Sequence, residues 1–285
     1  STELLYGKYK KTEALLELEE LVRKNAIDLE VLGFYLDQSM PYASQPIDII
    51  PFATTGTDGT YFAFLTDFGI YTSLDEAPII MYCSADFSYS DPSASYTLFA
   101  KNLKDFLTIC SQILTPYLVY ESDPRHTDFT HQVQEFIEDD FIDILEIQKV
   151  VKLIRNKFNL TEILNLNAYY TQWYSQREAT TCIKTLDGLN INFNPIEEKP
   201  DKIFHTLLNK EQLIEYLSTV NILSRLKFYR DYGQVYRDLD KEEFFYVLEI
   251  IIKFLKDDNF LREAHVLEFD LRKKRAYYLY HKLKH

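Results

Sequence analysis

Glycine is scarce in this chain, with seven in 285 residues. A dinucleotide fingerprint needs three glycines within six residues, and a phosphate loop needs two glycines leading into Lys and then Ser or Thr. Neither pattern occurs. Cysteine is scarcer still: Cys83, Cys110 and Cys182 are far apart, odd in number and set among apolar residues. With no C-x-x-C pair they suggest neither a disulfide framework nor a zinc site, and three reduced, buried thiols in a cytoplasmic protein are expected. Long apolar runs are missing too. The candidate VLEIIIKFL (247–255) is short for a bilayer and carries charges, and the opening STELLYGKYKK lacks the apolar core of a signal peptide. No membrane association is expected.

Positive charge is also in deficit. The formal net charge is −13, from 31 Lys and Arg against 44 Asp and Glu. Residues 1–124 hold seven basic and eighteen acidic side chains, and 125–285 hold 24 and 26. The excess therefore lies in the first part, which would repel nucleic acid and steer a basic protein partner towards itself. No nucleic-acid role is expected.

Aromatic residues are abundant, with 22 Tyr and 20 Phe, and 46% of the chain is hydrophobic, so a sizeable core is expected. Leu15, Leu16, Leu18, Leu21 and Val22 recur at helical spacing within 12–25. IIPFA (49–53) and YFAFLT (61–66) read as strands around TTGTDG, where Asp58-Gly59 is a hairpin signal. Neither face of 61–66 is polar, which predicts a central, covered strand. APIIMYCSA (77–85) is the next strand, and Ser95 is read as the cap of a helix through Leu98, Leu103, Phe106, Leu107 and Cys110. Prolines and polar residues at 115–128 suggest a boundary, giving an α+β domain at 1–124 and a mainly helical domain at 125–285. The second part holds helical periodicity over 129–158, a hairpin candidate at 179–194 around Asp187-Gly188, and capping-box spacing at Asn209/Gln212 and Asp240/Glu243. The end, 264–285, fits a helix better than a hairpin, since no Gly or Pro marks a turn.

Several residues invite a chemical reading. Gly56 and Gly59 precede a strand, not a helix N-terminus, so a hairpin corner is favoured over a phosphate site. DFG (67–69) matches the kinase magnesium motif without its companions, and Asp67 is read as a strand-end acceptor. His131 and Glu135 share a helix face that Asp139 and Asp143 continue, which reads as a solvated acidic face ahead of a metal site. Cys83 lacks the helix N-terminus of a nucleophile. KFYRDYGQVYR (227–237) interleaves aromatic and basic residues as single-strand binders do, but tyrosines at helical spacing are more often core edges. No catalytic residue, metal or cofactor is assigned, and a binding protein is expected ahead of an enzyme.

One resemblance cuts across these readings. An I-P-F-A segment leads into a T-G-x-D-G turn (Thr55, Gly56, Asp58, Gly59). An aromatic strand ending in L-T-D-F-G (Leu65 to Gly69), a P-I-I strand and A-x-N-L-x-x-F-L (Ala100, Asn102, Leu103, Phe106, Leu107) follow. This order resembles the SUKH superfamily over roughly residues 10–115; the superfamily includes fungal cell-wall-synthesis regulators and many bacterial immunity proteins. The resemblance implies an antiparallel-rich sheet flanked by helices and a non-enzymatic protein that binds and neutralises a toxin, a nuclease being the type its acidity suits. The alternative is a regulatory or scaffold protein of the cell-wall-synthesis type. Asp58, Asp67, Asp75, Glu76, Asp86 and Asp91 are the partner-binding candidates, chosen as acidic residues near the sheet edge or in loops.

Overall fold

The structure is a computed structural model that describes residues 5–24, 26–37, 46–56, 59–83, 92–139, 143–193, 208–236 and 239–282. It is α+β, with a five-stranded antiparallel sheet followed by a mainly helical C-terminal part. Helix α1 (Glu13–Arg23) starts where the Thr12 hydroxyl accepts from the Leu15 amide. Strands β1 (Tyr35–Leu36), β2 (Ile49–Thr54), β3 (Thr60–Leu65), β4 (Ile79–Cys83) and β5 (Tyr96–Ala100) then follow in chain order across the sheet. The hairpin read around TTGTDG is present: Ile50 faces Phe64 and Thr54 faces Tyr61, with a bulge between Pro51 and Ala53. Its β3 strand is central and buried on both faces.

The expected helix from Ser95 is corrected. Residues 96–100 are β5, paired to β4, and helix α2 (Leu103–Ile113) begins only at Asn102, whose side chain accepts from the Asp105 amide. The β-branched and aromatic run YTLFA prefers a pleated, half-buried surface, and Asn102 is a better cap than Ser95 because it directly precedes the amphipathic stretch.

A one-turn helix α3 (Tyr117–Tyr120) leads to α4 (Phe129–Asp139), α5 (Ile144–Lys157) and α6 (Leu166–Thr180), so the periodic stretch 129–158 is two helices. The hairpin expected at 179–194 reduces to one antiparallel bridge between Ile183 and Ile191, flanking the Asp187-Gly188 turn. Helices α7 (Lys210–Thr219), α8 (Ile222–Val235), α9 (Lys241–Asp257) and α10 (Leu261–Lys282) complete the chain. The Asn209/Gln212 capping box forms, Asp240 caps α9, and 261–282 is helical as the sequence suggests.

Alternation along the strands sorts their side chains into two cores. Phe52, Phe62, Phe64 and Phe99 point to one face and meet Phe34 and Phe106, with ring centroids 4.7–6.4 Å apart. This core does not stop at residue 124: it continues through Ile147, Val150 and Ile154 of α5 and Tyr170 and Trp173 of α6. The opposite face carries Ile49, Ala63, Leu65, Ile80 and Tyr82, met by Leu189. The remaining helices build a third cluster into which Ile47, just before β2, and Phe68, just after β3, reach.

Tyrosines on α6 finish the β5 edge. Tyr170 donates to the Phe99 carbonyl and Tyr174 to the Leu98 carbonyl, each at 2.8 Å, and the Lys101 amide donates to the Tyr169 hydroxyl at 2.9 Å. Edge groups that would otherwise template another strand are thereby satisfied within the chain.

Candidate functional site

The L-T-D-F-G segment is the point where sheet and helices are joined. After β3 the backbone turns through Asp67, Phe68 and Gly69, all at positive φ (45°, 55° and 90°). Two consecutive non-glycine residues in this region are costly and persist only where surrounding contacts hold them. Both are held. Phe68 packs against Phe260 and Tyr229, with centroids 5.3 and 6.3 Å away. Asp67 receives a two-pronged contact from Arg177 of α6, at 3.0 and 3.1 Å.

Around that pair lies a buried ionic cluster. Arg230 of α8 contacts Asp48 at 2.5 Å, Asp187 at 3.3 Å and Asp67 at 3.6 Å. Arg177 also donates to the Leu189 and Asn190 carbonyls. The side chains of Asp48, Asp67 and Arg230 are wholly buried, and those of Arg177 and Asp187 nearly so. Three carboxylates thus face two guanidinium groups. Asp48 Oδ1 and Arg230 Nε have no hydrogen-bond partner among the described residues. Burial pushes the Asp48 carboxyl up to about 6; Arg230 opposes the rise, and Asp67 and Asp187 add to it. Burial works against the charge on Arg177, but the Asp67 carboxylate more than offsets it and holds the guanidinium above its ordinary range.

Arg262, at the start of α10, adds a second tie. It donates to the carbonyls of Leu5 (2.8 Å), Ile47 (2.7 Å) and Ile49. Gly7 makes room for it: a Cβ there would sit 2.6 Å from Arg262 Cβ, and its φ is +57°.

These positions decide the fate of the six acidic candidates. Asp67 is corrected from a rim residue to a buried one, because its carboxylate is engaged by Arg177 and closed off from solvent. Asp58, Asp86 and Asp91 lie outside the described residues. Asp75 and Glu76 are exposed, on a loop anchored by the buried Leu74. Their carboxylates accept from hydroxyls of the same loop: Ser73 to Asp75 at 3.0 Å and Thr72 to Glu76 at 3.3 Å. Neither has a Lys or Arg partner among the described residues, so the pair presents uncompensated negative charge eight and nine residues beyond the buried Asp67.

The other candidates resolve as packing or solvated surface. His131 and Glu135 are 3.3 Å apart and well exposed, and no group of three or more His, Cys, Asp or Glu among the described residues is arranged to hold a metal. Cys83 and Cys110 are buried thiols, while Cys182 is half-buried. The aromatics of 227–236 are core side chains: Phe228, Tyr229, Tyr232 and Tyr236 are all at most 3% exposed. A cleft of about 870 Å³ between the end of α2 and the starts of α4 and α6 is lined by Arg125, His126, Asp128, Arg155, Glu162 and Asn167. Asp67, Asp75 and Glu76 do not line it.

Sequence reasoning missed the partners of Asp67. Arg177, Asp187 and Asp48 carry no local signal of burial, and the aromatic-basic run around Arg230 gives no sign of its partners. The one available hint was Asp187-Gly188, which marks the turn but not its contact. No family model matches the chain, and no curated protein matches it.

Proposed function

We propose that this chain is a non-enzymatic binding protein of the SUKH type, acting as an immunity protein that neutralises a basic toxin domain by direct contact. The observation that carries the reading is the Asp75-Glu76 loop, two exposed carboxylates without a Lys or Arg partner among the described residues, in the first 124 residues, which hold most of the net negative charge. A nuclease must be basic to hold phosphate, and a rim of fixed negative charge speeds encounter with such a surface and sets its register. The five-stranded antiparallel sheet with helices at Glu13–Arg23 and Leu103–Ile113 supports the reading, because the resemblance implies a sheet flanked by helices.

The experiment is co-expression with the basic toxin domain encoded beside this gene. A stable complex and restored growth are expected, and Asp75→Lys with Glu76→Lys should slow association and flatten its salt dependence. A soluble toxin that neither copurifies nor loses toxicity overturns the reading.

A further inference from the structure

Charge is sorted along the second half of the chain. Residues 126–148 contain seven acidic side chains and no Lys or Arg. Residues 271–285 contain six Lys or Arg and no acidic side chain. Both segments include solvent-facing helix.

On α10 the environment changes part-way along. Through Leu271 the helix is largely buried, with Arg262, Ala264, Val266 and Leu267 in the interior. Beyond it one side remains against α9, through Arg275 to Glu249 (2.7 Å) and Tyr278 against Phe245 (6.0 Å). The other side is uncovered. Tyr277 and Tyr280 are 64% and 54% exposed, and with Phe269 just before Leu271, 39% exposed, they share one face at spacings of eight and three with Arg272 and Lys273. Lys273 lies over the Phe269 ring at 5.3 Å. Neither Arg272 nor Lys273 has an ion-pair partner among the described residues. Aromatic and Arg side chains are the groups that anchor protein interfaces.

The acidic segment offers the complement. Glu135 and Glu138 are exposed on α4 and, among the described residues, bonded only to His131 and Gln134 of the same helix. Asp143 caps α5, and Ile144 and Leu145 beside it are 49% and 77% exposed. Exposed apolar side chains are thus embedded in opposite charge on the two surfaces.

We propose that the outer face of α10 beyond residue 271 docks the acidic end of α4 and start of α5 of a second copy of this chain. The contact pairs Arg272 and Lys273 with Glu135 and Glu138, and Tyr277 and Tyr280 with Ile144 and Leu145. If each copy gives and receives one such contact the assembly closes as a dimer; otherwise it grows head to tail. The net charge of −13 opposes any self-association at long range. At about 0.1 M salt the screening length is about 10 Å, so whole-molecule repulsion is damped while contacting pairs still attract. A nucleic acid is the weaker fit for the same stripe, because that net charge repels a polyanion.

Sedimentation velocity at that ionic strength tests the proposal, on the full chain and without reference to any toxin. Wild-type protein is expected to self-associate, and Arg272→Glu with Lys273→Glu to be monomeric. Adding Glu135→Lys and Glu138→Lys to that variant should restore association, since the pairs are then swapped. Lys104→Glu with Lys152→Glu makes the same net-charge change at other exposed sites and should leave association intact. All these positions are on the surface, and circular dichroism confirms folding of each variant. A monomeric wild type, a swap that fails to restore association, or equal dissociation by Lys104→Glu with Lys152→Glu overturns the proposal.

Discussion

Arg230 and Asp48 show how much one buried residue can decide. Removing the guanidinium takes from Asp48 and Asp187 the cation they contact and leaves Asp67 to Arg177, and breaking a buried pair from one side typically costs about 3–5 kcal/mol. Arg230→Met is expected to lower unfolding stability by that order, read as a shift in the urea midpoint at constant slope. Asp48 predicts a pH dependence. Its carboxyl titrates near 6 in the folded protein, against an ordinary 3.8, so the folded state holds the proton more tightly than the unfolded chain. Its contribution is therefore most favourable below about pH 4 and is lost as pH rises through about 6. Urea unfolding across this range should show that loss in wild type and a flatter profile in Asp48→Asn, which stays neutral. An identical slope in both proteins would remove Asp48 as the cause.

At the scale of the element, α6 is the part whose role is least apparent from its pattern. Its polar and aromatic residues alternate without a clean apolar stripe, because Tyr169, Tyr170 and Tyr174 present hydroxyls to the sheet edge while their rings pack. Tyr170→Phe keeps the ring and leaves the Phe99 carbonyl short of one buried donor, at a cost of about 1–3 kcal/mol. Hydrogen exchange should localise the loosening to the β4–β5 ladder. Asn102 sets the boundary between β5 and α2. Asn102→Ala should cost about 1 kcal/mol, with fraying seen at the amides of residues 103–105.

The whole molecule is held by contacts that join its two parts. Phe68 enters the C-terminal helical cluster, α5 and α6 complete the core under the sheet, and Arg262 ties α10 to the first residues described. Trp173, the sole tryptophan, reports on the first core, whereas most of the helix after residue 208 belongs to the cluster around α8 and α9. Urea transitions followed by tryptophan fluorescence and by far-ultraviolet circular dichroism should therefore coincide, as one cooperative unit requires. Separate midpoints would mean that sheet and helices unfold independently.

The hairpin around TTGTDG, the central β3, the helix at 13–23 and the helices capped by Asn209 and Asp240 are legible in the sequence, because turn residues, strand alternation and caps act within a few positions of themselves. The helix expected at Ser95 fails for a reason of the same local kind: a β-branched, aromatic run outweighs a weak cap. The candidate site is legible only in part. Asp75 and Glu76 could be picked by residue type and loop position, but type says nothing of exposure, and Asp67 of the same class is buried. What the sequence by itself determined is the α+β class with its helical C-terminal part and the acidic bias of the first part. Only the tertiary structure decided which charges are spent inside. Arg177 and Arg230 reach Asp67 and Asp48 across 110 and 182 residues, and no pattern of neighbouring residues encodes a contact made at that separation.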